Sequence, residues 1–173
     1  MPYESLDELE LPIQRLVQKA SGIQQIIPAN RGHSPPEPHG SLYGTYNIIP
    51  VKAYGQVRRE WTDEEEQATI SSMELLVSCN FFNSGARDCA MRFYNASHRN
   101  PVYRHLYENG MAWRQASNAR NLTTEEQGVI QQRYQVDLDL FVETMIRDTM
   151  LVARSVDIII YNEDGQWLTQ SNG

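Results

Sequence analysis

The chain has few cysteines and no long apolar segment. Its only cysteines, Cys79 and Cys89, do not have zinc-finger spacing, and two are too few for a disulfide framework. We interpret both as reduced thiols in the core of a cytosolic protein, with a bridge between them as the alternative. No run of about 18 apolar residues occurs, so we expect no transmembrane helix. Residues 1–8 are acidic where a signal peptide would be basic.

Basic residues are also scarce. The chain has 15 Lys and Arg against 22 Asp and Glu, a net charge of −7, which is a poor basis for gripping a nucleic-acid backbone. Such a chain could still face DNA across a gap, where like charge prevents adhesion. Its 40% hydrophobic content, with 3 Trp, 9 Tyr and 4 Phe, is enough for a core. We therefore expect one domain over residues 1–173, with flexible tails at residues 1–5 and 165–173.

Sequence motifs of the common enzyme classes are missing. There is no phosphate loop and no dinucleotide-binding fingerprint. Asn83-Ser84-Gly85 lacks the first glycine of a nucleophile elbow, so we interpret Ser84 as a helix cap. We predict neither catalytic residues nor a cofactor.

Asp137 and Asp139 are the strongest candidates for a chemical site. Residues two apart on a strand point to the same side, so this pair could hold a hard metal ion or act as acid and base. The simpler interpretation is a solvated strand face. We interpret His33 and His39 as ordinary loop histidines, because a metal site there would need further ligands and Glu37 alone is nearby.

The other histidines and the arginines give weaker signals. We expect His98 and His105 at or near helix surfaces, and we identify no partner for either. Arg92 and Arg99 are placed to share a helix face, where they could pair with acids of a neighbouring subunit or remain in solvent.

Apolar periodicity predicts the elements of the first half of the chain. A helix runs to about Ala20, with Ser5 and Glu8 as a capping box, Gly22 as its stop, and Pro12 either in its first turn or at a kink. Strands follow at residues 23–29 and 42–53, the second ended by a glycine. The acidic run 61–67 is predicted to be a solvated loop or strand rim.

A long strand then runs from residue 69 to residue 82, with one face formed by Thr69, Ser71, Met73, Leu75, Val77, Cys79 and Phe81. The next helix has a face formed by Ala86, Cys89, Ala90, Phe93 and Tyr94.

The second half of the chain contains the clearest alternation. A short helix at residues 102–107 and a strand at 111–119 come first, then a polar connection at 121–127. From residue 134 an apolar face, Tyr134, Val136, Leu138, Leu140 and Val142, alternates with Gln135, Asp137, Asp139 and Glu143, interrupted by Phe141. A buried strand at residues 156–161 and a turn at 163–165 follow. The order predicts an α+β domain, in which an antiparallel, partly mixed β-sheet has about three helices packed on one face.

The succession of four segments resembles the phage neck and tail-terminator family. They are residues 26–30 with the proline turn and Tyr-rich strand that follow, residues 73–90, residues 101–123, and residues 132–140. Each segment is weak by itself, and their order over residues 6–161 carries the resemblance.

The resemblance implies a terminator-like fold and a structural virion protein of a tailed phage, with no catalytic residues and no cofactor. Such a subunit forms a homo-oligomeric ring, typically a hexamer, that caps the tail tube and joins it to the head-side connector or stopper protein. The sheath is a further partner, and DNA passes through the channel without specific binding. We expect the protein in the virion neck, and in host cytoplasm during assembly, with no membrane partner.

We expect two sets of assembly residues. The subunit-interface candidates are Arg31, His33, Pro35, Pro36 and Glu37 in the proline turn, and Asn118, Arg120 and Asn121 in a later loop. The channel-facing candidates are Asp137, Asp139 and Glu143. The alternatives are a head-completion (stopper) or tail-tube protein, and a small metal-dependent hydrolase using Asp137 and Asp139.

Overall fold

A computed structural model describes residues 2–29, 40–63, 65–126 and 129–149, and the backbone of residues 160–161 and 167–168. In chain order the described elements are α1 (Leu6–Ser21), β1 (Ile26–Pro28), β2 (Tyr43–Trp61), β3 (Glu66–Phe82), α2 (Ala86–Tyr94), α3 (Asn100–Glu108), β4 (Met111–Ala116), β5 (Arg120–Asn121), β6 (Thr124–Glu126), β7 (Val129–Gln131), β8 (Arg133–Thr149), β9 (Ile160–Tyr161) and β10 (Trp167–Leu168). No described helix has both the length and the apolar character needed to cross a membrane.

One sheet organises these elements. Its strand order is β1-β2-β3-β8-β4, and β5 also pairs with β8. The pairing of β1 with β2 is parallel, and the other pairings are antiparallel. The pairs β6–β7 and β9–β10 form two further, two-stranded antiparallel sheets. The predicted α+β class with a mostly antiparallel, mixed sheet is confirmed.

The centre of the sheet is the full-length pairing of β3 with β8, from Glu66 opposite Thr149 to Phe82 opposite Arg133. Both strands alternate between apolar and polar residues, so one side of the pair is buried. The buried residues are Leu75, Val77, Cys79, Phe81, Val136, Leu138, Leu140 and Val142. The helices pack on this side and form one core with it.

Towards the start of β3 the predicted alternation breaks down. Thr69 and Ser71, predicted on the buried face, are half-buried, whereas Ala68 and Ile70 on the opposite side are 1% and 5% exposed. On β2, Arg58 is the cross-strand partner of Ile70, and Glu60 is the partner of Ala68. On β8, Arg147 is the partner of Ala68. Long polar side chains thus flank Ala68 and Ile70 on the same side of the sheet, an arrangement that is common at protein surfaces.

Helix α1 begins and ends on local signals. The Ser5 hydroxyl accepts a hydrogen bond from the Glu8 amide at 3.4 Å, as a capping residue should. Gly22, at φ 84°, ends the helix, and its amide donates to the carbonyl of Gln18 at 2.8 Å. Pro12 lies inside α1, so the longer of the two predicted helices is correct.

Two predictions about α2 are wrong. Its N-cap is Gly85, at φ 94°, and no side chain caps the helix, so Ser84 is not the cap. Tyr94 is 40% exposed, whereas the rest of its predicted face is buried. It is the last residue of the helix, where the apolar face no longer meets the sheet.

Strand β2 is longer than the sequence predicts. Gly55, at φ 73°, lies within an irregularity between Tyr54 and Arg58, and the strand continues to Trp61. The acidic run therefore includes the end of β2, at Trp61, and the start of β3, at Glu66. A glycine within a strand pattern can mark a bulge as well as an end.

Tyr3, in the N-terminal segment, is anchored to β8. Its amide donates to the carbonyl of Glu143 and its carbonyl accepts from the amide of Met145, both at 2.8 Å. Its hydroxyl donates to the carbonyl of Asn109 at 2.6 Å. The two backbone bonds place Tyr3 beside Thr144 at the edge of β8, as an isolated parallel bridge.

The two cysteines are free and buried, which confirms the prediction of reduced core thiols. Burial raises the pKa of both thiols. The proline turn, most of the predicted strand at 156–161 and the turn at 163–165 lie outside the described residues.

Candidate functional site

The side of the sheet opposite the helices carries a connected set of polar side chains, which we call the polar face. On β8 it contains Gln135, Asp137, Asp139 and Glu143, because successive residues of a strand point to opposite sides. Strands β3, β4 and β5 supply the neighbours. The predicted alternation of β8 is confirmed, and Asp137 and Asp139 do share one side.

Asp137 is the best-connected group on this face. One carboxylate oxygen accepts from the Ser78 hydroxyl at 2.7 Å and from the Gln135 amide at 3.0 Å. The other oxygen is paired with the guanidinium of Arg120 on β5. The Asp137 backbone amide donates to the Ser117 hydroxyl at 2.9 Å. The Asp137 side chain is 18% exposed, so its charge is compensated within the chain instead of facing water alone.

The other two predicted channel-facing acids have different surroundings. Asp139 accepts a hydrogen bond from the Gln115 amide at 2.7 Å. Glu143 is exposed and lines a groove of about 420 Å³ with Arg58 and Ile70. The three acids thus share a side of the sheet, and whether that side faces a channel stays a prediction.

A second cluster explains the phenylalanine that interrupts the polar pattern of β8. Phe141 packs edge-on against Tyr54 with ring centroids 5.3 Å apart, and the Arg114 guanidinium lies 5.7 Å from its ring centre. Arg114 also pairs with Glu74, which is 5% exposed beside them. Arg114 lies where the register of β4 against β8 shifts, between Trp113 and Gln115. This irregularity turns the arginine to the polar face.

The surroundings of Glu74 favour its charged form. Burial by itself raises the pKa of Glu74, and hydrogen bonds from Tyr54 and Arg114 lower it. Attraction to Arg114 and Lys52 acts in the same direction, so the pKa lies below its ordinary value.

The polar face consequently contains two acids that are each paired with an arginine. The sequence of β8 alone predicts an acidic surface, but Arg120 and Arg114, from neighbouring strands, meet Asp137 and Glu74. Sequence reasoning missed both pairs because the partners are far apart along the chain. The only signal in the sequence for these ion pairs was the presence of arginines in the predicted strand 111–119 and in the loop after it.

The geometry does not favour a metal site at the two aspartates. Both oxygens of Asp137 are already engaged by protein donors. Within the described ranges, no group of three or more His, Cys, Asp or Glu side chains is placed to hold a metal ion. His33 and His39 lie outside those ranges.

The prediction for His105 is wrong, whereas His98 is exposed as expected. His105 is 6% exposed, and its Nε2 donates to the carbonyl of Pro12 at 2.8 Å, which links α3 to α1. The Asn109 amide lies 3.4 Å from its Nδ1. A histidine on an amphipathic helix can face the core when its two nitrogens find partners.

Arg92 and Arg99 do not share a helix face, because Arg92 belongs to α2 and Arg99 precedes α3. Both approach the C-terminal end of α1. Arg99 donates to the carbonyls of Lys19 and Ala20 at 3.0 and 3.1 Å. A β-carbon on Gly22 would come within 2.8 Å of the Arg92 guanidinium. Cations suit this end of a helix, so a subunit contact is not needed to explain them.

The interface candidates fall into two groups. Arg31, His33, Pro35, Pro36 and Glu37 lie outside the described residues. Asn118, Arg120 and Asn121 are exposed on the connection between β4 and β6. The Leu122 amide, just beyond this group, donates to the carbonyl of Arg133 at 2.8 Å, which fixes the connection on β8.

Comparison with known proteins adds one positive finding. No curated protein matches the chain. A family model described as phage neck terminator protein matches residues 7–165, which include all of α1 except Leu6, the whole described sheet and the polar face. Because this match covers most of the chain, the chain belongs to the phage neck terminator protein family, whose members are structural proteins of the virion.

Proposed function

We propose that the protein is a ring-forming subunit that closes the phage tail tube at its head-side end. The observation that carries the proposal is the family match over residues 7–165. In this proposal six copies form a homohexamer that stops tube growth and offers a docking surface to the head-side connector or stopper protein. The tail-tube protein and the sheath are the other partners.

We further propose that the polar face lines the channel, with Asp137, Asp139 and Glu143 towards the DNA. The pairing of Arg120 with Asp137 and of Arg114 with Glu74 supports this role. Arginines held by carboxylates do not offer free cations to phosphates, and phosphate neutralisation supplies most non-specific DNA affinity. DNA would therefore pass without binding.

A closed ring requires a heterologous interface, in which one patch docks on a different patch of the next copy. The proline turn, with Arg31, His33, Pro35, Pro36 and Glu37, is one candidate patch. The exposed group Asn118, Arg120 and Asn121 is the other. The hydrogen bonds that fix this connection on β8 support its use, because a pre-ordered loop loses little entropy on binding.

The protein is proposed to have no catalytic activity. The hydrolase alternative gains no support, because protein donors occupy Asp137. No observation favours a stopper or tail-tube role over termination.

Light-scattering mass and negative-stain imaging test the proposal, with the purified protein alone and mixed with tail tubes. Rings, or caps at one end of a tube, support a terminator. A monomer that ignores tubes at every concentration contradicts it, and polymerisation into tubes indicates a tube protein. If the double variant Asp137→Asn/Asp139→Asn assembles and infects normally, the channel role of these residues is wrong.

A further inference from the structure

An asparagine followed by a glycine, Asn109-Gly110, lies directly after the last residue of α3. In such a pair the glycine backbone nitrogen can attack the asparagine Cγ. The side-chain amide nitrogen then leaves as ammonia, taking the proton of the attacking amide. Water opens the resulting cyclic imide at one of its two carbonyls and gives aspartate or isoaspartate. Glycine is the residue that obstructs this attack least, because it has no Cβ.

Hydrogen bonds engage both reacting groups of the pair in the folded chain. The Gly110 amide, whose nitrogen would attack, donates to the carbonyl of Tyr107 at 3.2 Å. The Asn109 side-chain nitrogen, which would leave, donates to the carbonyl of His105 at 2.7 Å. The same nitrogen lies 3.4 Å from the Nδ1 of His105. These bonds tie the pair to the last turn of α3.

The backbone conformation of Asn109 also opposes the attack. Its φ and ψ are −107° and 13°. Viewed along the Cα–C bond, a ψ near zero places the Gly110 nitrogen almost in line with the Asn109 nitrogen, and so turned away from the Cβ that carries Cγ. Closing the ring requires rotation about this bond, and that rotation moves the Gly110 amide away from the carbonyl of Tyr107.

Asn109 also holds the N-terminal segment in place. Its backbone carbonyl accepts a hydrogen bond from the Tyr3 hydroxyl at 2.6 Å, and Tyr3 bonds to Glu143 and Met145 of β8. An isoaspartate inserts the side-chain methylene into the main chain, which moves this carbonyl. An aspartate has no amide donor when ionised, so it cannot bond to the carbonyl of His105. Either product would weaken the contact between the end of α3 and Tyr3.

We propose that Asn109-Gly110 is a deamidation site that the fold keeps unreactive, and that opening of the last turn of α3 permits its conversion. Gly110 is exposed and Asn109 is half-buried, so water reaches the pair and the opening limits the reaction. Ends of elements open locally more easily than the whole protein unfolds. Because ammonia is lost, conversion is a one-way change that releases Tyr3.

Peptide mapping by mass spectrometry, with chromatographic separation of the isoaspartyl peptides, measures this conversion in the full-length chain. The tryptic peptide of residues 105–114 contains the site. The folded chain and the chain unfolded in denaturant are incubated at the same pH and temperature. Conversion at Asn109 should be about tenfold slower, or more, in the folded chain. Equal rates in the two states would overturn the proposal.

Two variants test the hydrogen bonds themselves. Tyr3→Phe removes the bond to the Asn109 carbonyl, and His105→Ala removes the contact of Nδ1 with the Asn109 side chain. Each should raise the rate in the folded chain about fivefold, the factor that corresponds to one hydrogen bond of ordinary strength. Tyr3→Phe removes a single hydroxyl and keeps the test available if His105→Ala does not fold.

Two controls accompany these variants. Tyr103→Ala, at a 65% exposed residue of the same helix, is the matched control and should leave the rate at Asn109 unchanged. The chain has one other such pair, Asn172-Gly173, and the rates at Asn109 are normalised to conversion at Asn172 in the same digests. A slow rate that neither Tyr3→Phe nor His105→Ala raises would show that the bonds described above do not protect the site.

Hydrogen exchange tests the proposed consequence. Protein converted at Asn109 should exchange the backbone amides of Tyr3 and Met145 faster than unconverted protein, and equal exchange would show that conversion does not release the segment. None of these measurements depends on ring formation or on tube capping. A failure of the proposed function would therefore leave this inference standing, and the reverse also holds.

Discussion

Removing the ion pair between Arg120 and Asp137 should cost the protein a measurable but modest amount of stability. The two side chains are 54% and 18% exposed, so the pair is partly screened by water. Exposed pairs contribute roughly 0.2–1 kcal/mol, and we expect this one near the upper end, about 1 kcal/mol. For a chain of this size, such a loss lowers the melting temperature by about 2–4 °C.

The neighbours of Asp137 explain why the loss should not be larger. In Arg120→Ala, the carboxylate keeps its hydrogen bonds from Ser78 and Gln135. In Asp137→Asn, the amide oxygen can still accept from those two donors, but the charge opposite Arg120 is gone. The double variant should therefore lose about 1 kcal/mol less than the sum of the two single losses.

Urea unfolding followed by tryptophan fluorescence measures this coupling, at about 0.1 M and 1 M salt. The coupling should fall at high salt, where the screening length shortens from about 10 Å to about 3 Å. The pair Arg58–Glu60, with side chains 57% and 52% exposed, is the control and should couple more weakly. A coupling between Arg120 and Asp137 below about 0.3 kcal/mol would refute the argument.

Three further predictions concern the core, an acid and the N-terminal segment. Phe93→Ala should lower the free energy of unfolding in urea by about 3–5 kcal/mol, because Phe93 is fully buried. The control Tyr103→Ala, at an exposed site, should change it by no more than about 0.5 kcal/mol. Equal losses of stability in the two variants would contradict the described packing. Because the folded pKa of Glu74 lies below its ordinary value of 4.5, its stabilising effect is complete above that value and is lost as the pH falls through the folded pKa. Stability measured from pH 6 to pH 3 should thus fall less steeply in Glu74→Gln, and identical slopes would show that Glu74 is not held as described. Tyr3→Phe should cost about 1 kcal/mol and increase hydrogen exchange at the N-terminal end of the sheet, whereas unchanged exchange would mean that the segment is not anchored there.

The sequence predicted the central strands and the helices well, because each has a local signature. The apolar residues of β8 at every second position need one buried side, and Val136, Leu138 and Leu140 are fully buried. Gly22 ends α1 because glycine adopts positive φ at little cost. Predictions that depended on one residue were less reliable. Ser84 was predicted to cap α2 and does not, and β2 was predicted to end at Gly55 and continues past it.

The site was predicted only in part. Periodicity placed Asp137 and Asp139 on one side of a strand, which the structure confirms. The same periodicity could not show that Arg120 would reach Asp137, that His105 would bond to Pro12, or that Tyr3 would join the edge of β8. Each of these contacts joins residues distant in the chain, and no local pattern records which strand lies beside which.

Local patterns in the sequence were sufficient to predict the α+β class, the apolar side of the central strands and the resemblance to the terminator family. These follow from hydrophobic periodicity, turn residues and the order of segments, which act over short stretches of chain. The pairing of Asp137 with Arg120 and of Glu74 with Arg114, and the continuation of β2 past Gly55, became visible only in the tertiary structure. These features depend on the registers between distant strands, which are set when the whole sheet buries its apolar side at once.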